Sequence, residues 1–451
     1  MMETDLDAAA DTPSAGRLDD SIVAPTFGQA LRFWSRLGWI SFGGPAGQIG
    51  IMHAELVERR HWVDEATFLH GLNYCMLLPG PEAMQLATYL GWRLHGMRGG
   101  IVAGALFVLP ATVLLALLSW IYLRYGQLPM VAGVLFGLQA AVLGIIVHAL
   151  VRIGRRVLRT PLAIAIALLA LLAIAWWRWP FPSIVLAAGV LGWLAWRLRP
   201  QWLPQPAAHG TVDAVVLRSA SDSRPISQRV SSALVIASVC VLLWWLPLLG
   251  VRVWLGADST AWAMGVFFSK AALVTLGGAY AVLPYVAQQA VEVHGWLTPE
   301  QMLVGLGLAE TTPGPLILVL EFVGFVGGWQ HPDLASPLAS ALLGATVTVW
   351  ATFLPSFLFV LPMAPWIQRL RERPALNAAL TGITAAVVGV IANLALWFGW
   401  ALLREANPLR AAFICALALL AWLALTRRVN VLWVVLAAAG CGALVQPWMP
   451  G

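Results

Sequence analysis

Charge is scarce in this chain. Asp, Glu, Lys and Arg make up 11% of its 451 residues, against about 25% in soluble domains. Lys270 is the single lysine. Four cysteines (Cys75, Cys240, Cys415, Cys441) stand far apart, with no CxxC and no Cys/His cluster. That argues against a disulfide scaffold and a zinc centre, and no metal ligand set is expected. His53, His61, His95 and His294 fall near the ends of apolar runs without ligand spacing on one helix. No Gly-Lys-Ser/Thr follows Gly43-Gly44-Pro45, which excludes a phosphate loop and an ATPase. No nucleophile–base pair stands out and the polar gaps are short, so catalytic residues, an enzymatic activity and a cofactor are not expected. Residues 1–27 lack the basic stretch and apolar core of a signal peptide and read as a disordered cytoplasmic tail.

What is abundant is hydrophobic surface: 60% of residues are apolar and mean hydropathy is +0.80. Apolar runs recur along nearly the whole chain, each long enough for about 30 Å of hydrocarbon. Runs are expected at 29–52, 66–92, 101–123, 130–150, 161–177 and 182–198, then, beyond a polar linker at 199–229, at 230–250. A second series follows at 261–289, 299–328, 337–361, 377–400, 408–426 and 430–447. The expected fold is all-α: a polytopic membrane protein of about thirteen transmembrane helices, its 24 tryptophans suited to the lipid interfaces. The +6 net charge does not indicate nucleic acid, because the arginines lie in short gaps between apolar runs. With the N-terminus cytoplasmic, the inner gaps hold most of them (93–98, 152–159, 197–229, 369–373, 427–428). The outer gaps hold Arg59, Arg60, Arg124, Arg178, Arg252, Arg404 and Arg410. The positive-inside bias therefore places the N-terminus in the cytoplasm and the C-terminus in the periplasm.

The chain also repeats itself. Ser35-Arg36 and Gly43-Gly44 recur as Ser269-Lys270 and Gly277-Gly278 at an offset of 234 residues; the same offset carries Trp62 to Trp296, Gly71 to Gly305 and Pro79-Gly80-Pro81 to Pro313-Gly314-Pro315. Further on the offset becomes 245, pairing Leu109-Pro110 with Leu354-Pro355, Gly137 with Gly382 and Gly144 with Gly389. The units are a first repeat at 28–198, an extra helix at 230–250 and a second repeat at 261–451. An odd number of crossings separates equivalent segments, and the arginine-rich gap at 93–100 corresponds to an arginine-free gap at 329–336. Both facts favour inverted repeats, with a parallel arrangement as the alternative.

Pro-Gly-Pro cannot continue a helix, since amide donors are lost and rings clash. Interrupted backbone at membrane depth must be buried in protein or line a wet cavity. Helices restarting after each break offer free N–H groups and a positive dipole end to an oxyanion. A repeated pair of breaks is thus either a pair of kinks or a substrate site; the constant spacing favours the site. Gly43, Gly44, Gly277, Gly278, Pro79, Gly80, Pro81, Pro313, Gly314 and Pro315 are the candidate site backbone. Gln85, Thr88, Thr311 and Thr312 are candidate donors to substrate oxygens, or else bond their own helices. Arg36 and Lys270, two turns before the glycine pairs, either attract an anion or snorkel toward an interface. Glu82, Glu310 and Glu321 are candidates for proton coupling; Glu82 alternatively stabilises a helix start.

Phe42-Gly43-Gly44-Pro45, Leu78-Pro79-Gly80-Pro81-Glu82 with Gln85 and Thr88, and Thr312-Pro313-Gly314-Pro315 resemble the chromate ion transporter family, long-chain bidomain type. The likeness covers about 28–198 and 261–426. It implies a secondary transporter of the bacterial inner membrane that exports chromate and confers resistance, with sulfate as a competing structural analogue. Short members of that family are single halves that work in pairs; a homodimer is left open. Ala279 stands opposite Pro45 and Leu316 opposite Glu82, so the role of Glu82 is not copied into the second half. A sulfate or other oxyanion importer is the alternative within transport, and a membrane enzyme or scaffold the alternative outside it.

Overall fold

The computed structural model describes residues 25–42, 44–198, 226–276, 278–369, 374–404 and 406–445. Gly43, Gly277 and most of the expected tail and linker lie outside them. Sixteen α-helices account for nearly all of the described residues, and no strand occurs among them. Among the described residues, seven helices are long and apolar enough to cross a membrane.

The first half opens with α1 (Phe27–Ile40) and α2 (Gly44–His53), followed by a π-helical turn (Ala54–Arg59) and α3 (Glu65–Cys75). α4 (Glu82–Tyr125), α5 (Pro129–Val157), α6 (Pro161–Ala175) and α7 (Phe181–Leu198) complete it. α8 (Ile226–Leu255) stands between the halves. The second half repeats the pattern with α9 (Thr260–Val274), α10 (Ala279–Gln288), a π turn (Gln289–Val293), α11 (Pro299–Thr311), α12 (Val319–Gln330), α13 (Pro337–Val360), α14 (Pro374–Leu403), α15 (Pro408–Thr426) and α16 (Val431–Val445).

Local chemistry sets these boundaries in matched places. Thr26 and Ser259 cap α1 and α9, while Asp64 and Thr298 cap α3 and α11; each side chain accepts from a free first-turn amide. The runs expected at 29–52, 66–92, 261–289 and 299–328 are each divided into two short helices that fold back. Gly305 lies against Phe322, and Gln330 Nε2 donates to Gln301 Oε1 at 3.2 Å, so α12 returns along α11. Gly71 lies in the same way against Leu86 and Tyr89. Trp62 comes back to the Phe33 ring at 5.8 Å and Trp296 to the Phe267 ring at 5.8 Å. The long α4 is itself a hairpin. His95 and Gly96 leave helical geometry, and Gly91 packs on Gly99 and Gly104 on Thr88, which no straight helix allows. Residues 97–125 then form the continuous limb that corresponds to α13.

The longer helices exchange partners between halves: α5 packs on α15 and α16, and α14 on α6 and α7. A methyl group on Gly137 would fall 2.0 Å from the Ala438 carbonyl oxygen, and one on Gly382 2.2 Å from that of Ala188. Glycine is what lets these backbones touch, and dispersion between close backbones replaces the hydrophobic drive that lipid removes. α5 and α14 run antiparallel, since Gly154 faces Val388 while Gly399 faces Leu143.

Candidate functional site

The four breaks meet in crossed pairs. Ser41 and Thr275 end α1 and α9 in inverse γ-turns (φ −79°, ψ 64° and φ −76°, ψ 79°). Their hydroxyls donate back to Leu37 O and Ala271 O, each at 2.6 Å. This leaves their own carbonyls free, and the opposite half takes them up. Gly80 N donates to Thr275 O and Gly314 N to Ser41 O, both at 2.8 Å. Gly80 and Gly314 adopt φ +119° and +113°, the region only glycine enters without strain. Each Pro-Gly-Pro of one half is thereby tied to the first break of the other.

Helices α2, α4 and α10 begin within a few residues of this crossing, and α12 begins one 3-10 turn (Leu316–Leu318) beyond it. Among them, Pro81 and Gly278 provide no side-chain cap for α4 and α10. Their first-turn amides and positive dipole ends suit a negatively charged group. The Glu82 carboxylate stands at this place, 3.9 Å from where a Gly278 side chain would start. In the second half Tyr280 Oη donates to Glu310 Oε1 at 2.5 Å, tying its two breaks together. Two cations complete the surroundings: Arg156 acts electrostatically on Glu82, and Arg152 on Tyr280 and Glu310, all beyond direct ion-pair distance.

Several residues singled out by sequence are therefore brought together: Gly44, Gly278, Pro79, Gly80, Pro81, Glu82, Gln85, Glu310, Thr312, Pro313, Gly314 and Pro315. Gln85 Nε2 donates to Pro79 O at 2.7 Å and so holds the turn. The Thr88, Thr311 and Thr312 hydroxyls donate to Met84 O, Leu308 O and Ala309 O of their own helices. Arg36 and Lys270 lie on exposed faces of α1 and α9, with no carboxylate within ion-pair distance among the described residues. Glu321 is fully buried in α12.

Sequence reasoning missed four contributors. Gln48, fully buried, donates to Ser41 O at 3.1 Å and Gly314 O at 2.5 Å, bracing the crossing. Its only signal was an amide in an apolar half-helix. Arg152 and Arg156 were counted with the topology arginines; their i, i+4 spacing, which puts both on one face of α5, was the available clue. Tyr280 carried no signal at all.

A sequence profile described as "Chromate transporter" matches residues 28–193 and 262–443. The chain belongs to the chromate transporter family. A protein named "Chromate transport protein" from Cupriavidus metallidurans is 32% identical over 391 residues, covering 84% of either chain. One of the same name from Pseudomonas aeruginosa is 32% identical over 426 residues, covering 94% of this chain and 93% of its own. A "Probable chromate transport protein" from Synechococcus elongatus is 28% identical over 366 residues. No solved structure matches. Membership in this family, together with seven long apolar helices, makes the chain a multi-pass membrane protein. Both matched stretches contain a complete pair of breaks.

Proposed function

We propose that the protein is a secondary transporter that exports chromate from the cytoplasm by alternating access at the crossed breaks, and so confers chromate resistance. The observation that carries the proposal is the reciprocal pairing of Gly80 with Thr275 and Gly314 with Ser41, which gathers helix starts from both halves around one point. A tetrahedral dianion suits that point, with Arg152 and Arg156 as cations that act on the carboxyl groups beside it. In this reading Gly44 and Gly278 complete the cradle, and Arg36 and Lys270 draw anions along the approach; Gly43 and Gly277 lie outside the described residues.

The antiparallel course of α5 and α14 and the exchanged packing of α15, α16, α6 and α7 support inverted repeats of 28–198 and 261–451. Replacing two through-crossings by two returning hairpins lowers the crossing count by two in each half and preserves the parity that inverts them. It also moves Arg59 and Arg60 to the cytoplasmic side, which strengthens the positive-inside bias for a cytoplasmic N-terminus and a periplasmic C-terminus in a bacterial inner membrane.

Voltage favours export. Two charges moving through about 150 mV are worth roughly 7 kcal/mol, a gradient of about 10⁵. A sulfate importer would work against that term and would need about three protons to be driven inward. Glu82, Glu310 and Glu321 are the carboxyl groups available for such coupling. Energised inside-out vesicles carrying the protein accumulate labelled chromate, and sulfate competes. If they accumulate none, and cells instead become more chromate-sensitive on expression, the importer takes the place of the exporter.

A further inference from the structure

Glu321 is 1% exposed, and neither carboxylate oxygen has a hydrogen-bond partner among the described residues. On the facing helix α13, Thr348, Thr352 and Ser356 are 0–1% exposed, and none of their hydroxyls has a partner among the described residues. The two helices are antiparallel: Gly328 packs on Ser340 and Ala341, and Gly324 on Gly344 and Thr348. That register brings Glu321, one turn before Gly324, to the level of Thr348 and Thr352. The three hydroxyls stand at i, i+4 and i+8, so they share a face and step along it by about 6 Å. Such a step is too long for one hydrogen bond and suits one bridging water. At its far end Ser356 Oγ lies 3.0 Å from where a Gly80 side chain would begin, at the crossing itself. Gln85 crowds the same point and keeps its own Oε1 unpartnered.

The fold does not require this polar set. Its counterparts in the first half are Ala87, Ala103, Phe107 and Ala111, all fully buried, and Ala111 packs on Gly314 as Ser356 packs on Gly80. The same architecture is thus built once with an apolar seam and once with a carboxyl group and three hydroxyls. An isolated ionised carboxylate in an apolar interior is very costly, and each unpartnered hydroxyl adds a further desolvation cost. A cost borne in one half only points to function.

We propose that Glu321 is the proton-carrying group of the transport cycle, linked to the crossing by Thr348, Thr352 and Ser356. This rests on the chromate-transport reading and deepens it. The proton binds a Glu321 carboxylate oxygen in one conformation and leaves along the hydroxyl face in the other, with no other bond made or broken. Among the described residues Glu321 forms no ion pair. The titratable or charged residues on the elements packed around it are Glu82, Tyr89, Arg93, His95, Arg98, Tyr122, Arg124 and Tyr125 on α4, Glu300 and Glu310 on α11 and Lys270 on α9; α13 has none.

The test uses the full-length protein in liposomes, with internal labelled chromate, an imposed pH gradient and a fluorescent pH indicator. Glu321→Gln abolishes pH-gradient-driven chromate movement and chromate-driven proton flux, at least about tenfold down. It leaves chromate counterflow, which needs no net proton transfer, within about twofold. Thr352→Val slows the driven flux and spares counterflow. Wild-type driven flux in Glu321→Gln, or loss of counterflow together with driven flux in a variant that still elutes as folded protein, overturns the proposal. Chromate transport by the wild type without any response to the pH gradient overturns it as well. No chromate transport by the wild type removes the functional reading on which the proposal stands, and the proposal with it.

Discussion

Gly80→Ala isolates the crossing from the rest of the fold. At φ +119° the backbone is open to glycine alone, and alanine there costs about 1–3 kcal/mol before any contact is counted. The new methyl would stand 2.8 Å from Gln85 Nε2 and 3.0 Å from Ser356 Oγ. The amide must swing away, and the bond from Gln85 to Pro79 O, worth about 1 kcal/mol, goes with it. The total is about 2–4 kcal/mol. With an unfolding entropy of roughly 2.1 cal/mol/K per residue, a chain of this length melts about 2–4 °C lower. Transport suffers more than folding, because the displaced carbonyls and amides are those proposed to face the anion. Two controls separate the terms. Gly44→Ala, at φ +68° with nothing within 4 Å, carries backbone strain without a clash. Gly28→Ala, in α1 with nothing within 4 Å, carries neither. Thermal melting in detergent and chromate uptake by vesicles are measured on all three. Activity and melting of Gly80→Ala matching Gly28→Ala would refute the claim that the crossing geometry is both strained and functional.

Two further expectations concern charge. Arg156→Ala and Arg152→Ala lower the affinity for chromate by about tenfold or more while the amount of membrane-inserted protein is kept; Arg36→Ala and Lys270→Ala have smaller effects, larger at low ionic strength, as residues of the approach would. Concentration-dependent uptake with quantified membrane protein separates these outcomes, and equal losses of protein and transport would return all four residues to a structural role. Glu82→Gln removes the carboxyl group from the helix starts and raises chromate affinity if an ionised Glu82 competes with the anion there. Unchanged affinity with lower thermal stability would make Glu82 a helix-start charge only.

The breaks were legible because proline and glycine act locally: a Pro-Gly-Pro cannot be helical whatever surrounds it. Arg36 and Lys270 stood out because a cation within an apolar run is rare, yet rarity does not say which way a side chain points, and both lie on exposed faces. Gln48 and Tyr280 escaped notice because an amide or a phenol in a membrane helix is unremarkable until its partner is known. Arg152 and Arg156 serve as topology signals in any one-dimensional reading. Only their place at the end of α5 brings them within electrostatic reach of Glu82 and Glu310.

Composition and periodicity alone determined that this chain is helical, membrane-embedded and duplicated, because hydrophobic thickness and helix interruption are properties of contiguous residues. The tertiary structure decided that the interrupted runs return rather than cross, and that each break binds the opposite half. It also decided that one of two equivalent seams is polar. Those outcomes depend on contacts between segments more than two hundred residues apart, such as Gly314 with Ser41. Close packing of glycine-lined helices selects such pairings, and no local pattern encodes them.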